Sequence, residues 1–381
     1  MIRQYFAQRD ATIYERWPQM NTGIDSILEI TKIQSGSYYY GEYQSNTYNT
    51  RTLIDFGNSQ ITAISESISS GDIGSTNRKI FLNLRAIDAS ATEVSYSLEA
   101  YPISESWEQG NGNFDNVPEI RDGVSWHFRD GDTTQTYWSK VGHNANTMLG
   151  KAEVTQGGGA WITGSGYKAS QSFDNSSPDI RMDVTDIVEK WITGSNGISN
   201  HGFIIKRPYT DETGGTVFGN LQFFGTNTNT VYVPRLEVCW DDSDNSGIGS
   251  FEEVSSKDNS IIVYFKNLEE KYKEASNTIL RIGSRPKYPV KTYSTSSWYI
   301  TDHRLPTSSY YAVKDAETEE TIIDFDTSYT AISCDSQGNY FNFRMNGLMP
   351  ERNYRFLIKT QKSGSQITQI HDNGYYFRVV R

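Results

Sequence analysis

Two-residue alternation of apolar and polar side chains is the feature that most limits how this chain can fold. In "KIFLNLRA" the residues Ile80, Leu82, Leu84 and Ala86 fall on one side, and in "EVSYSLEAY" Val94, Tyr96, Leu98 and Ala100 do the same. "RTLIDFG", "HGFIIK", "LQFFG" and "PRLEVCW" are shorter runs of strand type. Successive side chains of a strand point to opposite faces, so such runs make strands with one face on a core. Gly, Ser, Asn and Thr between the runs supply the turns, and the pattern predicts antiparallel sandwiches or barrels. A polar run, "DDSDNSGIGSFEEVSSKDN" (241–259), interrupts the series. It divides the chain into a domain over 1–242, a linker over 243–257 and a second β domain over 258–381.

The second series contains "SIIVYFKNL", "NTILRIGSR", "GNYFNFRMNGL", "NYRFLIKTQ" and "GYYFRVVR". "YAVKDAETEETIIDF" reads as a hairpin with an acidic turn. "NGLMPERNYRFLIKT" places Leu348, Pro350 and Tyr354 at the spacing of the tyrosine corner of fibronectin-III-like sandwiches. In such a corner the tyrosine hydroxyl bonds back to upstream backbone. The ordinary alternative is a loop and the start of a strand.

One segment breaks the alternation. "DVTDIVEKWITGSNG" (183–197) puts Val184, Ile187, Val188 and Trp191 on one stripe of a 3.6-residue period. Asp183 is placed to cap the first turn, Asp186 lies near the positive end of the helix dipole, and Gly194 is placed to stop the helix. Met182 and Ile187 have the spacing of a hydrophobic staple. A helix of about three turns is marginal alone, so it must lie against the sandwich. The expectation is that it plugs an open end with Trp191 pointing inward.

Chemistry leaves few traces. The chain has no nucleophile elbow, phosphate-binding glycine loop, dinucleotide fingerprint or zinc-binding histidine pair. His127, His143, His201, His303 and His371 are scattered. Glu105, Glu108 and Asp115 flank a glycine-rich loop, where a glycosidase pair would need two opposed carboxylates. Asp242, Asp244, Ser246, Gly247 and Glu253 match positions 1, 3, 5, 6 and 12 of a calcium loop. Gly249 stands where an apolar residue is usual and no helix pattern flanks the loop, so a polar linker is the simpler reading. Trp107, Trp126, Trp138 and Trp161 punctuate long Gly- and Asp-rich loops. They are candidates for stacking on sugar rings, weighed against ordinary core packing.

The net charge is −11, and residues 1–250 carry 18 basic against 30 acidic side chains. Such a surface is a poor match for nucleic acid, whose affinity comes from neutralised phosphates. Cys239 and Cys334 stand outside any metal or redox spacing and read as partly buried thiols in a reducing compartment, with a disulfide between them as the unsupported alternative. No leader-like apolar segment opens the chain, and no apolar run is long enough for a membrane helix.

The order of the pieces resembles a known module. "DATIYERWPQMNTGIDSILEI" is followed by "RTLIDFG", "VSYSLEAYPISESWEQGNGNFDN", "GVSWHF", "DVTDIVEKWITGSNGISNHGFIIK" and "LQFFGTNTNTVYVPRLEVCWDDS". This succession, over about residues 10–242, is similar to the DNRLRE-type β-sandwich, a jelly-roll-like module related to carbohydrate-binding modules. The version here, together with residues 292–359, resembles virion structural proteins of large tailed bacteriophages. The resemblance implies an N-terminal jelly-roll-like sandwich with one short amphipathic helix and a second β region after it; with the strand pattern and the tyrosine-corner spacing, the expectation is an all-β chain whose second domain is an immunoglobulin- or fibronectin-III-like sandwich. The resemblance also implies a non-enzymatic structural part of a virion assembled in the host cytoplasm, without giving its place; sandwich surfaces and strand edges that dock on neighbours suit the tail, baseplate or neck. Its partners would be other virion proteins and further copies of itself; the charge, the short apolar runs and the missing motifs add the expectation of no nucleic acid, no membrane insertion and no cofactor other than calcium at the 242–253 spacing. The alternative it carries is a module that binds host-surface glycan.

Overall fold

The computed structural model describes residues 1–39, 42–90, 95–132, 135–139, 157–174, 177–193, 197–254, 261–289, 302–362 and 367–381, with the side chains of 36–39, 42–46 and 90 left aside. The chain is nearly all β, built from curled antiparallel sheets, as the alternation requires. The first elements are β1 (Ile2–Phe6), β2 (Arg9–Tyr14), β3 (Ile27–Tyr39), β4 (Glu42–Asp55), α1 (Gly57–Ser69), β5 (Lys79–Leu84), β6 (Ala86–Ser90) and β7 (Ser95–Pro102). Next come β8 (Phe128–Asp130), β9 (Thr136–Tyr137), β10 (Ala169–Asp174), β11 (Ile180–Asp183), α2 (Thr185–Ile192), β12 (Phe203–Lys206), α3 (Tyr209–Thr213), β13 (Phe218–Phe224) and β14 (Arg235–Cys239). The C-terminal series is β15 (Ile261–Phe265), β16 (Lys271–Lys273), β17 (Asn277–Pro286), β18 (Ser308–Asp315), β19 (Thr321–Ile323), β20 (Ser333–Asp335), β21 (Gly338–Arg344), β22 (Asn353–Gln361) and β23 (Thr368–Val380).

Two compact units result. One comprises Tyr5–Asp72 and Lys79–Glu237; the other takes Met1–Gln4, Ile73–Arg78 and Val238–Arg381. The second unit is thus discontinuous in sequence. Within it the Tyr329 hydroxyl donates to the Asn77 carbonyl at 3.1 Å, and the Asp241 N–H donates to the Thr76 carbonyl at 2.9 Å.

In the first unit a large sheet runs β10-β7-β12-β4-β3-β13-β6, with β2 also on β4, and β11 pairs antiparallel with β5. Alternation alone would give the large sheet one wet face, yet Leu53 and Ile54 are both buried, as are Phe203, Ile204 and Ile205. Both faces are covered. On one, Ala11, Ile13, Leu53 and Ile204 meet Trp107, Trp126, Trp138 and Trp161 in a single cluster, so the long loops form a layer over the sheet. The neighbouring residues point the other way, where the Phe203 ring lies 4.6 Å from Trp191 and 6.2 Å from Phe56.

The expected helix is α2. Val184, Ile187, Val188 and Trp191 are all buried. The Asp183 carboxylate accepts from the Thr185 N–H at 3.1 Å and the Thr185 hydroxyl at 2.5 Å, one residue ahead of the position expected of an N-cap. Gly194 lies outside the described residues. α2 does not seal the sandwich by itself: it packs against β5 and a second helix, α1. α1 corrects the expectation of one helix. Its buried residues are Ile61, Ile64 and Ser67, and it starts as α2 does, with the Asp55 carboxylate accepting from the Gly57 N–H at 2.9 Å. Gly57 has φ +69, and a Cβ there would run into the Gln8 side chain. The third helix, α3, is a single short turn.

The second unit pairs a four-stranded sheet, β15-β17-β21-β20, with a five-stranded one, β16-β23-β22-β18-β19. Aromatic residues fill its core: Phe356 stacks on Phe377 at 4.6 Å, Tyr311 on Phe341 at 4.2 Å, and Phe343 meets Phe356 edge-on at 5.0 Å. The hairpin with an acidic turn is β18–β19, closed by the Asp315 N–H donating to Glu320. The buried Tyr354 hydroxyl donates to the Met349 carbonyl at 3.0 Å, the back-bond of a tyrosine corner, with Leu348 buried beside it. The stretch read as a linker starts as part of this unit. Asp244 and Gly247 bond along Cys334 of β20, and 248–250 forms a single helical turn.

Candidate functional site

The residues that the sequence offered for chemistry are mostly engaged in holding the fold. Trp107, Trp126, Trp138 and Trp161 are fully buried, so none presents a ring to a sugar. The Trp107 indole N–H donates to the His201 carbonyl at 2.9 Å and that of Trp138 to the Ser125 carbonyl at 3.0 Å. Arg51 enters the same layer. Its guanidinium lies 4.7 Å from the Trp126 ring and 5.1 Å from Trp161, and it grips the Glu212 carboxylate with two N–H bonds of 2.9 and 2.8 Å. Lys206 reaches the same carboxylate at 3.0 Å. All three are buried, and burial pushes the Lys206 ammonium down while Glu212 pulls it back. A charge taken from water is tolerable only when paired and bonded in this way.

The calcium-loop spacing does not bring its ligands together. Asp242 accepts from the Met1 amino group at 2.8 Å and from the Asn342 amide at 3.1 Å. The Asp244 carboxylate folds onto the Ser246 N–H and hydroxyl, and Glu253 pairs with Arg304 at 3.0 Å. The segment runs alongside a strand where a calcium loop would curl between helices. No group of three or more metal-binding side chains occurs among the described residues. Cys239 and Cys334 are both buried thiols outside any disulfide. No helix among the described residues is long and apolar enough to cross a membrane.

Two surface features of the first unit remain. The first is a platform made by the loops at 16–26 and 109–124. Asn21 is its keystone: fully buried, it donates to the carbonyls of Gln109 and Val124 at 2.7 and 2.8 Å. Its carbonyl oxygen accepts from the N–H groups of Gly112 and Gly23 at 2.7 and 3.2 Å. The amide is fully satisfied, and the two loops are locked together. On this base Tyr14, Trp17 and Phe114 form an aromatic trio with ring separations of 5.4–5.8 Å, and the Arg16 guanidinium covers Trp17 at 4.9 Å. The Tyr14 hydroxyl is anchored to Glu29 at 2.8 Å. Phe114 is 40% exposed, Ile24 45% and Val117 96%. Asp25, Asp115, Glu119 and Asp122 are borne on the same loops. Large apolar side chains held rigidly in water are an interaction surface by composition.

The second is a shallow open depression lined by Glu105, Ser106, Arg129, Thr136, Tyr137 and Ser139. Arg129 donates to the Ser106 carbonyl at 2.8 Å and hydroxyl at 3.1 Å, and Glu105 accepts from the Ser139 N–H at 3.1 Å. Tyr137 is half exposed and packs on Phe128 at 4.6 Å. Alternation explains the pair Tyr137–Trp138: one points out and its neighbour points in. Of the three carboxylates weighed as a glycosidase pair, Glu105 lines this depression. Glu108 is exposed, 3.9 Å from Arg9, and Asp115 lies on the platform loop. Nearby, burial pushes the His201 ring down. Trp17, Phe114 and Tyr137 were the aromatics to single out. The sequence signal was weak: each stands in a loop or beside a buried aromatic, with nothing in its own neighbours to say which ring faces water.

No protein-family model matches the chain, and comparison with curated proteins likewise gives no match.

Proposed function

We propose that this protein is a non-enzymatic structural component of a tailed-phage particle, an adaptor that docks on neighbouring subunits of the tail, baseplate or neck. The family comes from the sequence resemblance. The observation that carries the docking role is the platform: Ile24, Phe114 and Val117 held in water beside a half-buried Trp17, on loops whose backbone is bonded through Asn21. A locked loop loses little conformational freedom on binding, so apolar burial there goes into affinity. Quantitative mass spectrometry of purified particles tests the reading. It expects the protein in a fixed copy number, and absence from the particles sinks it.

A second reading, recognition of host-surface glycan, is favoured by one feature, the depression with a half-exposed Tyr137 beside Arg129 and Glu105. A ring to stack on and side chains that donate and accept are what a sugar needs. The four tryptophans take no part in it. A glycan array probed with the native protein and with Tyr137→Ala separates the readings: signal lost in the variant supports binding, and no signal removes it.

A further inference from the structure

The hairpin of β3 and β4 outruns its sheet. β13 pairs with β3 from Ile27 to Lys32, and β12 and β2 pair with β4 between Thr50 and Asp55. The two strands then continue together from Ile33↔Tyr48 to Tyr39↔Glu42 with no third strand beside them among the described residues. At about 3.3 Å per residue, that is an arm of roughly 23 Å. A two-stranded ribbon is marginal in water, and a third strand is what stabilises it.

Edge strands are normally guarded by charges, proline or short length. Residues 33–39 read Ile-Gln-Ser-Gly-Ser-Tyr-Tyr, with no charge and no proline, and Glu42 is the one charged residue across 33–48. The rest of the chain therefore bears nearly all of the net −11. Two copies of so acidic a protein repel each other over most of their surface, and the ribbon is a place where they can meet without opposing like charges. An antiparallel strand edge is also complementary to itself under a two-fold axis, each donor meeting an acceptor and the reverse.

We propose that this edge is occupied by a second copy of the chain. The outer edge of β3 pairs antiparallel with the same strand of the second copy, about a two-fold axis near Gly36. The two ribbons become one four-stranded sheet. This goes beyond the adaptor reading and does not need it, since the contact belongs to the purified chain alone.

Sedimentation velocity from about 1 µM to about 500 µM, with backbone hydrogen exchange at both ends of that range, tests the proposal. The native protein is expected to shift from monomer to dimer, with amides of 33–39 slowing at high concentration. The double variant Ser35→Asp/Ser37→Asp sets like charges across the axis and is expected to stay monomeric, with its melting temperature showing that the sandwich is intact. Ser35→Thr/Ser37→Thr keeps a strand-favouring edge and is expected to dimerise. A native protein that stays monomeric throughout overturns the proposal. So does a dimer that the aspartates leave unchanged, or one that forms without protection of 33–39.

Discussion

Asp10 is the carboxylate whose replacement should make the protein more stable. It lies on β2, almost completely buried, accepting from the Thr226 N–H at 2.6 Å and the Thr226 hydroxyl at 2.8 Å. Burial is the largest influence on its acidity; the two Thr226 bonds oppose it and the nearby Asp25 adds to it, leaving the carboxyl pushed up to about 7. The unfolded chain holds the same group near 3.8. Between about pH 4 and 7 the folded chain therefore keeps a proton that the unfolded chain has released. Stability from this group is full below about pH 4 and falls as pH rises to about 7, then levels. At about 1.4 kcal/mol for each tenfold change in proton concentration, the fall is about 4 kcal/mol, an upper figure because the unfolded reference is idealised. Asp10→Asn has the same shape. Its amide can donate to the Thr226 hydroxyl and its oxygen can accept the Thr226 N–H, with nothing to ionise. Urea unfolding followed by tryptophan emission, to which the buried Trp107, Trp126, Trp138 and Trp161 contribute, measures the difference between variant and native protein. That difference should be only about 1 kcal/mol at pH 4.5 and grow by about 3 kcal/mol in the variant's favour by pH 8. Comparing the two proteins at each pH cancels the carboxylates with the opposite slope. One is Asp315: burial pulls it upward, but the N–H groups of Thr318 and Glu317 and the Arg352 guanidinium outweigh that and hold it low. A difference independent of pH, or one favouring the native protein at pH 8, refutes the reasoning.

Trp191→Ala removes the ring against Phe203 and should cost about 3–5 kcal/mol, read by denaturant unfolding. Glu212→Gln leaves Arg51 and Lys206 buried without their carboxylate and should cost about 3–5 kcal/mol, lowering the melting temperature more than any exposed acidic substitution. Tyr354→Phe leaves the Met349 carbonyl without its donor and should cost about 1–3 kcal/mol, with the fold unchanged by circular dichroism. Calcium titrated to millimolar concentration should give no site-specific heat, because Asp242, Asp244 and Glu253 are each turned to a different partner.

What the sequence made legible was set by local periodicity. Ile80, Leu82 and Leu84 are buried in alternation, and the α2 stripe is buried as its spacing required. α1 escaped because it has weak signals at both ends: Phe56 stands before its first residue, and serines dilute a stripe of Ile61, Ile64 and Ile68. The second coat on the large sheet was hidden for a different reason. Glu99 and Tyr101 sit at polar-face positions of β7 and are buried only because distant loops lie over them. The same nonlocality decided the tryptophans: a Gly-rich loop bearing a tryptophan looks alike whether the ring faces a sheet or water. The calcium spacing fixed an interval along the chain but not the curvature that would turn its carboxylates onto one point.

Incorporation of a platform variant into assembled particles tests the central claim most directly. Phe114→Ser/Val117→Ser strips exposed apolar surface while leaving Asn21 and its hydrogen bonds in place, so the chain should still fold cooperatively, at a lower melting temperature because Phe114 also packs on Tyr14 and Trp17. In particles assembled with this variant in place of the native protein, its copy number should fall at least tenfold. A folded variant incorporated at the native copy number contradicts the account.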